Sequence, residues 1–225
     1  MYPEEEQDPR TITIRRSWTR CYRKAYTVKC LNKIIYTIAT SDTDEVDCWI
    51  ANIRSIYKLK DFFVGLGIQW RAFSNTTNRQ TLVGRIATIQ ICVENSCLIY
   101  QLLYGSHFPN SLRNFLEDDG IIFAVSRMNI DQAMLSSRLG IHLTRPFEVS
   151  YHPSNGKQYS MEQMARMFLG FVGYPGEIKP VKISRSNWER KKLSMAQVTY
   201  ATVDAYISLH LGFVLYRIKM MNRSR

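Results

Sequence analysis

The run Phe62-Phe-Val-Gly-Leu-Gly-Ile-Gln-Trp70 constrains this chain more than any other stretch. Its apolar content is nearly continuous and a helix-like pattern precedes it, so it reads as a central strand of a sheet with at least one covered face. Side chains two apart in a strand share a face, which puts Gly67 and Gln69 together where an α/β enzyme can place chemistry. Here that face carries a missing side chain and a neutral amide.

With 225 residues the chain can bury one sizeable core, and a second complete domain would be cramped. The formal charge is +11, which favours phosphate-bearing or otherwise anionic partners. The charge is uneven. Glu4, Glu5, Glu6 and Asp8 crowd the start, whereas Arg10, Arg15, Arg16, Arg20, Arg23, Lys24, Lys29 and Lys33 follow, and ten bases against three acids lie between Glu177 and the end. Two basic regions on one surface would form a nucleic-acid footprint; an ordinary solvated basic face explains them equally. The five cysteines, Cys21, Cys30, Cys48, Cys92 and Cys97, are odd in number and lack metal-site spacing. They read as free thiols in a reduced, intracellular protein of nucleus or cytoplasm. No apolar run reaches the roughly 18 to 20 residues of a spanning helix, and the acidic start is no signal peptide, so no membrane partner is expected.

Residues 1–10 read as a disordered acidic tail, 11–220 as one domain and 221–225 as a basic tail. Thr11–Ile14 alternates, and Ala25–Cys30 with Ile34–Ala39 predicts a hairpin turning near Asn32. Asp42, Thr43 or Asp44 caps a helix whose stripe is Trp49, Ile50, Ile53, Ile56 and Tyr57. Ile86–Val93 and Cys97–Leu102 form a second hairpin around Glu94-Asn-Ser96. Pro109 opens a helix that ends at Asp118-Asp-Gly120, and Ile121–Val125 is a short apolar strand suited to a parallel position. A helix over Met128–Leu139 stops at Gly140, and Pro146–Val149 is a further strand. Ser160 with Gln163 forms a capping box ahead of Met161–Leu169, whose methionines read as core filler. Phe171–Pro180 is a loop with the character of a mobile rim. Ser194 caps a long final helix with Val198, Ala201, Ala205, Leu209 and Phe213 on one face. The order of elements predicts a single mixed α/β sheet flanked by helices.

No phosphate-binding glycine loop is present, since Gly65 and Gly67 stand two apart. The four histidines are scattered among different elements, which argues against zinc. Acids remain. Asp131 lies near the start of a helix just after an apolar strand, where ligands bind in α/β sheets. Asp204 interrupts the apolar final helix, and a buried carboxylate needs a partner or a metal. Tyr200, four residues earlier, shares its face. An exposed position at the helix edge would account for Asp204 without function.

Tyr200-Ala-Thr-Val-Asp204-Ala-Tyr206 resembles the third motif of the DnaQ-like, ribonuclease-H-fold 3'-5' exonucleases of the tyrosine-containing class. The approach to it, Val181–Trp188 and Leu193–Tyr200, is similar to plant Werner-syndrome-like exonucleases. The likeness runs from about residue 40 to 218 and implies a DnaQ-type mixed sheet with an N-terminal hairpin. It also implies four carboxylates holding two Mg²⁺ or Mn²⁺ ions that activate water and steady the phosphorus oxygens, with the tyrosine positioning the water. Asp131 takes the second motif's aspartate, with Asn129 at a position outside the core set, and Tyr200 and Asp204 take the third motif. Gly67 and Gln69 stand where the first motif has aspartate and glutamate. Two of four ligands survive, so Mg²⁺ or Mn²⁺ is expected to be weakly held or absent. Thr88 and Gln90 are neutral, and Glu94 is the one candidate for a displaced acid.

The resemblance leaves three readings. The first is a degenerate domain that binds single-stranded RNA or DNA ends with little or no hydrolysis, using Arg71, Arg127 and Trp70, with Arg79, Arg85, Tyr151 and Tyr174 as further contacts. The second is an active Mg- or Mn-dependent exonuclease using Gln69, Asp131, Asp204 and another ligand. The third is an inactive structural or regulatory subunit in a homo- or hetero-oligomer.

Overall fold

The computed structural model describes residues 25–57, 62–70, 84–172 and 178–223, together with the backbone of 13–17. Two tight turns organise the first half. Leu31 and Asn32 both take positive φ, 49° and 61°. Such a two-residue turn matches strand twist, and it folds β2 (Ala25–Cys30) back on β3 (Lys33–Thr40). Glu94 and Asn95 likewise join β5 (Ile86–Val93) to β6 (Ser96–Gln101), with Glu94 at φ 48°. β1 (Thr13–Ser17) adds to the edge of β2, and β3 runs parallel to β6.

The expected central strand is β4 (Phe62–Trp70), antiparallel to β5 and parallel to β7 (Ile121–Val125). β8 (Pro146–Glu148) runs parallel along the outer side of β7. The eight strands follow the order β1-β2-β3-β6-β5-β4-β7-β8.

Helices cover both faces. On one side α1 (Thr43–Ile56), α2 (Asn110–Leu116) and α3 (Met128–Leu139) bury Trp49, Ile50, Leu112, Phe115, Met134 and Leu135 against Val64, Leu66 and Ile68 of β4. Asp42 caps α1 by accepting from the Asp44 N–H. Ile56, expected in the α1 stripe, is instead 68% exposed in the last turn. The other side holds α4 (Met161–Leu169), the single-turn α5 (Val181–Ser184) and α6 (Met195–Arg223). Ser160 and Gln163 make the reciprocal capping box at α4, and Ser194 with Gln197 repeats it at α6. α6 carries its stripe into the core through Leu209, but Phe213 is half exposed, its ring against Phe63 near the start of β4. The helix continues through Met221–Arg223, the start of the expected basic tail. The expected acidic tail lies outside the described residues.

Contact between α6 and the sheet is set by glycine. A Cβ on Gly65 would stand 1.9 Å from the Ala205 carbonyl oxygen, and one on Gly212 would stand 2.4 Å from the Ala124 Cβ. Helix and strand therefore meet at backbone distance, which lowers the middle of α6 onto β4. By length and composition α6 is apolar enough to cross a membrane, a departure from the run-by-run expectation. Its apolar window is 78% buried within the fold, as a central core helix requires.

Candidate active site

Three elements converge at the ends of β4 and β7. Because β4 alternates, Val64, Leu66 and Ile68 go to the α1–α3 core while Gly65, Gly67 and Gln69 face α6. Gly67 pairs with Gln90 and Gln69 with Thr88 on β5, and a register shift between Gln69 and Trp70 turns the end of the strand outward. A Cβ on Gly67 would lie 2.9 Å from Gln90 Oε1 and 3.1 Å from Asp204 Oδ2. The missing first-motif side chain thus points directly at the Asp204 carboxylate.

The structure brings Asp131, Tyr200, Asp204, Gly67 and Gln69 together, as the sequence pattern requires. Asp204 is buried, and its Oδ2 accepts from Gln69 Nε2 at 3.3 Å. Its Oδ1 lies 2.6 Å from the Lys179 ammonium, an ion pair by distance that does not have hydrogen-bond geometry. Asp131 sits in the first turn of α3 with its N–H donating to the Arg127 carbonyl. Its carboxyl is almost wholly buried, and Oδ1 has no hydrogen-bond partner among the described residues. Burial pushes the Asp131 pKa up to about 8; the Arg127 charge opposes the rise and the Asp204 charge adds to it. Tyr200 is buried against Trp188, with ring centroids 5.6 Å apart. Burial, then the Asp204 charge, holds its phenol well above the ordinary range.

Gln90 occupies the space that an acid at position 67 would need. Its amide donates to the Thr88 hydroxyl, while its Oε1 is buried without a partner among the described residues. Glu94 is no displaced ligand: it lies in the β5–β6 turn and interacts with the Tyr57 phenol.

A groove of about 660 Å³ opens beside these groups. Gln69, Trp70, Tyr159, Tyr200 and the serines Ser126, Ser150, Ser160 and Ser184 line it, with Arg127, Lys179 and Arg185 as its charged groups; no carboxylate is among the described lining residues. Arg127 takes the left-handed conformation, φ 73°, at the start of α3, a position where a non-glycine residue is strained. The Glu148 carboxylate accepts from the Arg127 and Met128 N–H groups and holds that turn, while the Arg127 guanidinium lies 5.6 Å from the centre of the Trp70 ring. Of the other expected contacts, Tyr151 and Arg85 are not among the lining residues, and Arg85 pairs with Glu189. Arg71, Arg79 and Tyr174 lie outside the described residues.

Lys179, Arg185 and Tyr159 were not singled out by the sequence pattern, and Gln90 stood in it only as a neutral neighbour of the first motif. Lys179 and Arg185 stand in an irregular stretch where basic residues are common, and only the fold aims them inward. Arg185 has one signal, its place within the segment that resembles the approach to the third motif.

The donor set does not fit a pair of divalent ions. Two dications need several anionic oxygens to offset their mutual repulsion, and the site supplies two carboxylates, one already held by an ammonium. Gln69 turns its amide nitrogen, not its oxygen, toward Asp204. Among the described residues no group of three or more His, Cys, Asp or Glu side chains is arranged to hold a metal.

The fold is that of the DnaQ-like, ribonuclease-H-type exonucleases. *Escherichia coli* RNase D superposes with a TM-score of 0.66 at 14% identity, over 82% of this chain and 45% of that one. *Trypanosoma brucei* RNase D in complex with RNA U12 gives 0.63 at 16%, over 80% and 62%. The 3'-5' exonuclease family profile matches residues 74–216, more than half of the sequence, and the chain belongs to this family. A 3'-5' exonuclease of *Arabidopsis thaliana* is 25% identical over 93% of this chain and 74% of its own length. The mouse bifunctional 3'-5' exonuclease/ATP-dependent helicase WRN is 27% identical over 68% of this chain, which spans only 10% of that protein. The profile match begins beyond β4, so the strand carrying Gly67 and Gln69 lies outside it.

Proposed function

We propose that this is a degenerate 3'-5' exonuclease domain that holds single-stranded RNA or DNA ends with little or no metal-dependent phosphodiester hydrolysis. The observation that carries the reading is the combination at Asp204: no acid on the facing strand at Gly67 or Gln69, and an ammonium from Lys179 in contact with the carboxylate. Arg127, Lys179 and Arg185 give the groove charge for a phosphate chain, and Trp70 and Tyr159 give it rings for bases. Tyr200 retains its place beside Asp204, where it contributes shape and a hydroxyl to the groove floor. The relative solved with RNA supports a nucleic-acid ligand, and the one solved with Mg²⁺, *Brucella melitensis* NrnC, marks the chemistry this site has lost the acids for.

A subunit role has one observation in its favour. Phe213 is half exposed beside the Phe63–Tyr216–Phe147 ring cluster, and Met221 is exposed further along α6. An apolar contact there would be insensitive to salt, whereas phosphate binding weakens steeply with it.

The test uses end-labelled single-stranded RNA and DNA with Mn²⁺, read for both mobility and length. Retarded, salt-sensitive mobility without shortening is expected. Shortening that chelation and Asp204→Asn both abolish would make the domain an active nuclease. Self-association without any retardation would favour the subunit role.

A further inference from the structure

We propose that Lys179 is the site's resident cation: its ammonium stands on the carboxylate that a divalent ion would require, and makes phosphate binding in the groove independent of metal. The inference rests on the reading of the groove as a holder of nucleic-acid ends and adds what replaces the ions there.

Lys179 is fixed in place from both sides. Ile178 before it is buried in the core that includes α4 and α6. Pro180 after it starts α5, its carbonyl accepting from the Ile183 and Ser184 N–H groups. The side chain is 23% exposed and that of Asp204 6%, so the 2.6 Å pair is largely withdrawn from water. An ion pair so withdrawn from water is screened less than a surface pair, and removing one partner leaves the other buried and uncompensated.

Both Asp204 oxygens face donors, Lys179 at Oδ1 and Gln69 at Oδ2. A divalent ion would have to expel the ammonium and turn the amide. The same ammonium lines the groove with Arg127 and Arg185, so an arriving phosphate meets a cation already in position. A three-donor ammonium can hold a carboxylate and a phosphate oxygen at once. In a two-metal site the ions bridge protein acids and phosphate; here one side chain makes that bridge.

The experiment compares the full-length protein with Lys179→Met, which keeps the stem and loses the charge, and Lys179→Arg, which keeps the charge. In the first arm, loss of the free Mn²⁺ signal in electron paramagnetic resonance reports direct metal uptake without any nucleic acid. Lys179→Met is expected to take up Mn²⁺ at least about tenfold more tightly than the unaltered protein or Lys179→Arg, because the carboxylate loses its competing cation. In the second arm, a fluorescent single-stranded oligonucleotide is titrated in chelator and in Mn²⁺. The unaltered protein and Lys179→Arg are expected to bind equally in both; Lys179→Met is expected to lose about tenfold in chelator and recover in Mn²⁺. Equal Mn²⁺ uptake by all three, or an affinity loss in Lys179→Met that is the same with and without Mn²⁺, would overturn the inference. Should no form bind the oligonucleotide, the functional reading fails and the first arm still decides the role of Lys179.

Discussion

The pocket floor behind the groove has two walls, and they differ in charge. The strand wall, β4 with β5, presents Gly67, Gln69, Thr88 and Gln90, all uncharged, with the Gln90 and Thr88 side chains bonded to each other. The helix wall, α3 with α6, keeps Asp131, Tyr200 and Asp204, but sets Lys179 on one acid and leaves the other deeply buried. Position on each wall is dictated by packing, since Gly65 and Gly212 seat α6 and the α3 turn is held by Glu148. Charge on each wall is independent of that packing. The shape of such a site and the number of acids in it can therefore vary separately.

Substitutions that separate or re-match the two walls test this contrast. The largest effect is expected from Gly65→Ala, which forces α6 off β4 because the added methyl would stand 1.9 Å from the Ala205 carbonyl oxygen. A loss of at least about 4 kcal/mol, or failure to fold, is expected in thermal or urea unfolding.

Asp131→Asn acts on the helix wall alone. Below about pH 4 the carboxyl is protonated in both folded and unfolded chains, and the substitution should be nearly neutral. From there to about pH 8 the unfolded chain has released its proton and the folded one retains it, so folding is penalised increasingly as pH rises. Asp131→Asn should therefore raise the unfolding free energy at pH 8 and not at pH 4, by on the order of a few kcal/mol, read as a higher melting temperature at pH 8 alone. A pH-independent difference would contradict the burial of that carboxyl.

Restoring the strand wall with Gly67→Asp and Gln69→Glu is expected to be incomplete while Lys179 remains. The same pair combined with Lys179→Met should bind Mn²⁺ at least about tenfold more tightly in calorimetry than the pair alone. Equal affinities would place the obstacle in Gln90 rather than Lys179, because Gln90 Oε1 lies 2.9 Å from a Cβ at position 67. The smallest effect is expected from Arg185→Ala, which touches neither wall's acids. It should weaken oligonucleotide binding a few-fold and flatten the salt dependence by roughly 0.7 per lost phosphate contact.

Most of the fold was legible because its elements have strong local signatures. The alternation of β4, the Leu31-Asn32 and Glu94-Asn95 turns, the Ser160/Gln163 capping box and the Gly140 stop each act within a few residues. Phe213 and Ile56 misled for the opposite reason: helical spacing marks a stripe but not where the sheet beneath it ends. Within the site, Asp204 and Tyr200 were readable because a carboxylate in an apolar helix is conspicuous and the motif spacing is short, and Asp131 because it opens a helix just after an apolar strand. Lys179 was not, since nothing local distinguishes a lysine before a proline from any solvated one. Its role comes from a contact across 25 residues of sequence, made only once Ile178 and α6 are in place.

The close seat of α6 on Gly65 also limits how this pocket can change over time. With a carbonyl oxygen resting against a bare α-carbon, the helix has nowhere to slide and the floor of the groove keeps one depth. Remodelling must then proceed by exchanging side-chain tips, Gln90, Gln69 and Lys179 among them, over an unmoving backbone. An acid-poor floor and an acid-rich one are on that account separated by a handful of residue exchanges, with no rebuilding of the scaffold between them.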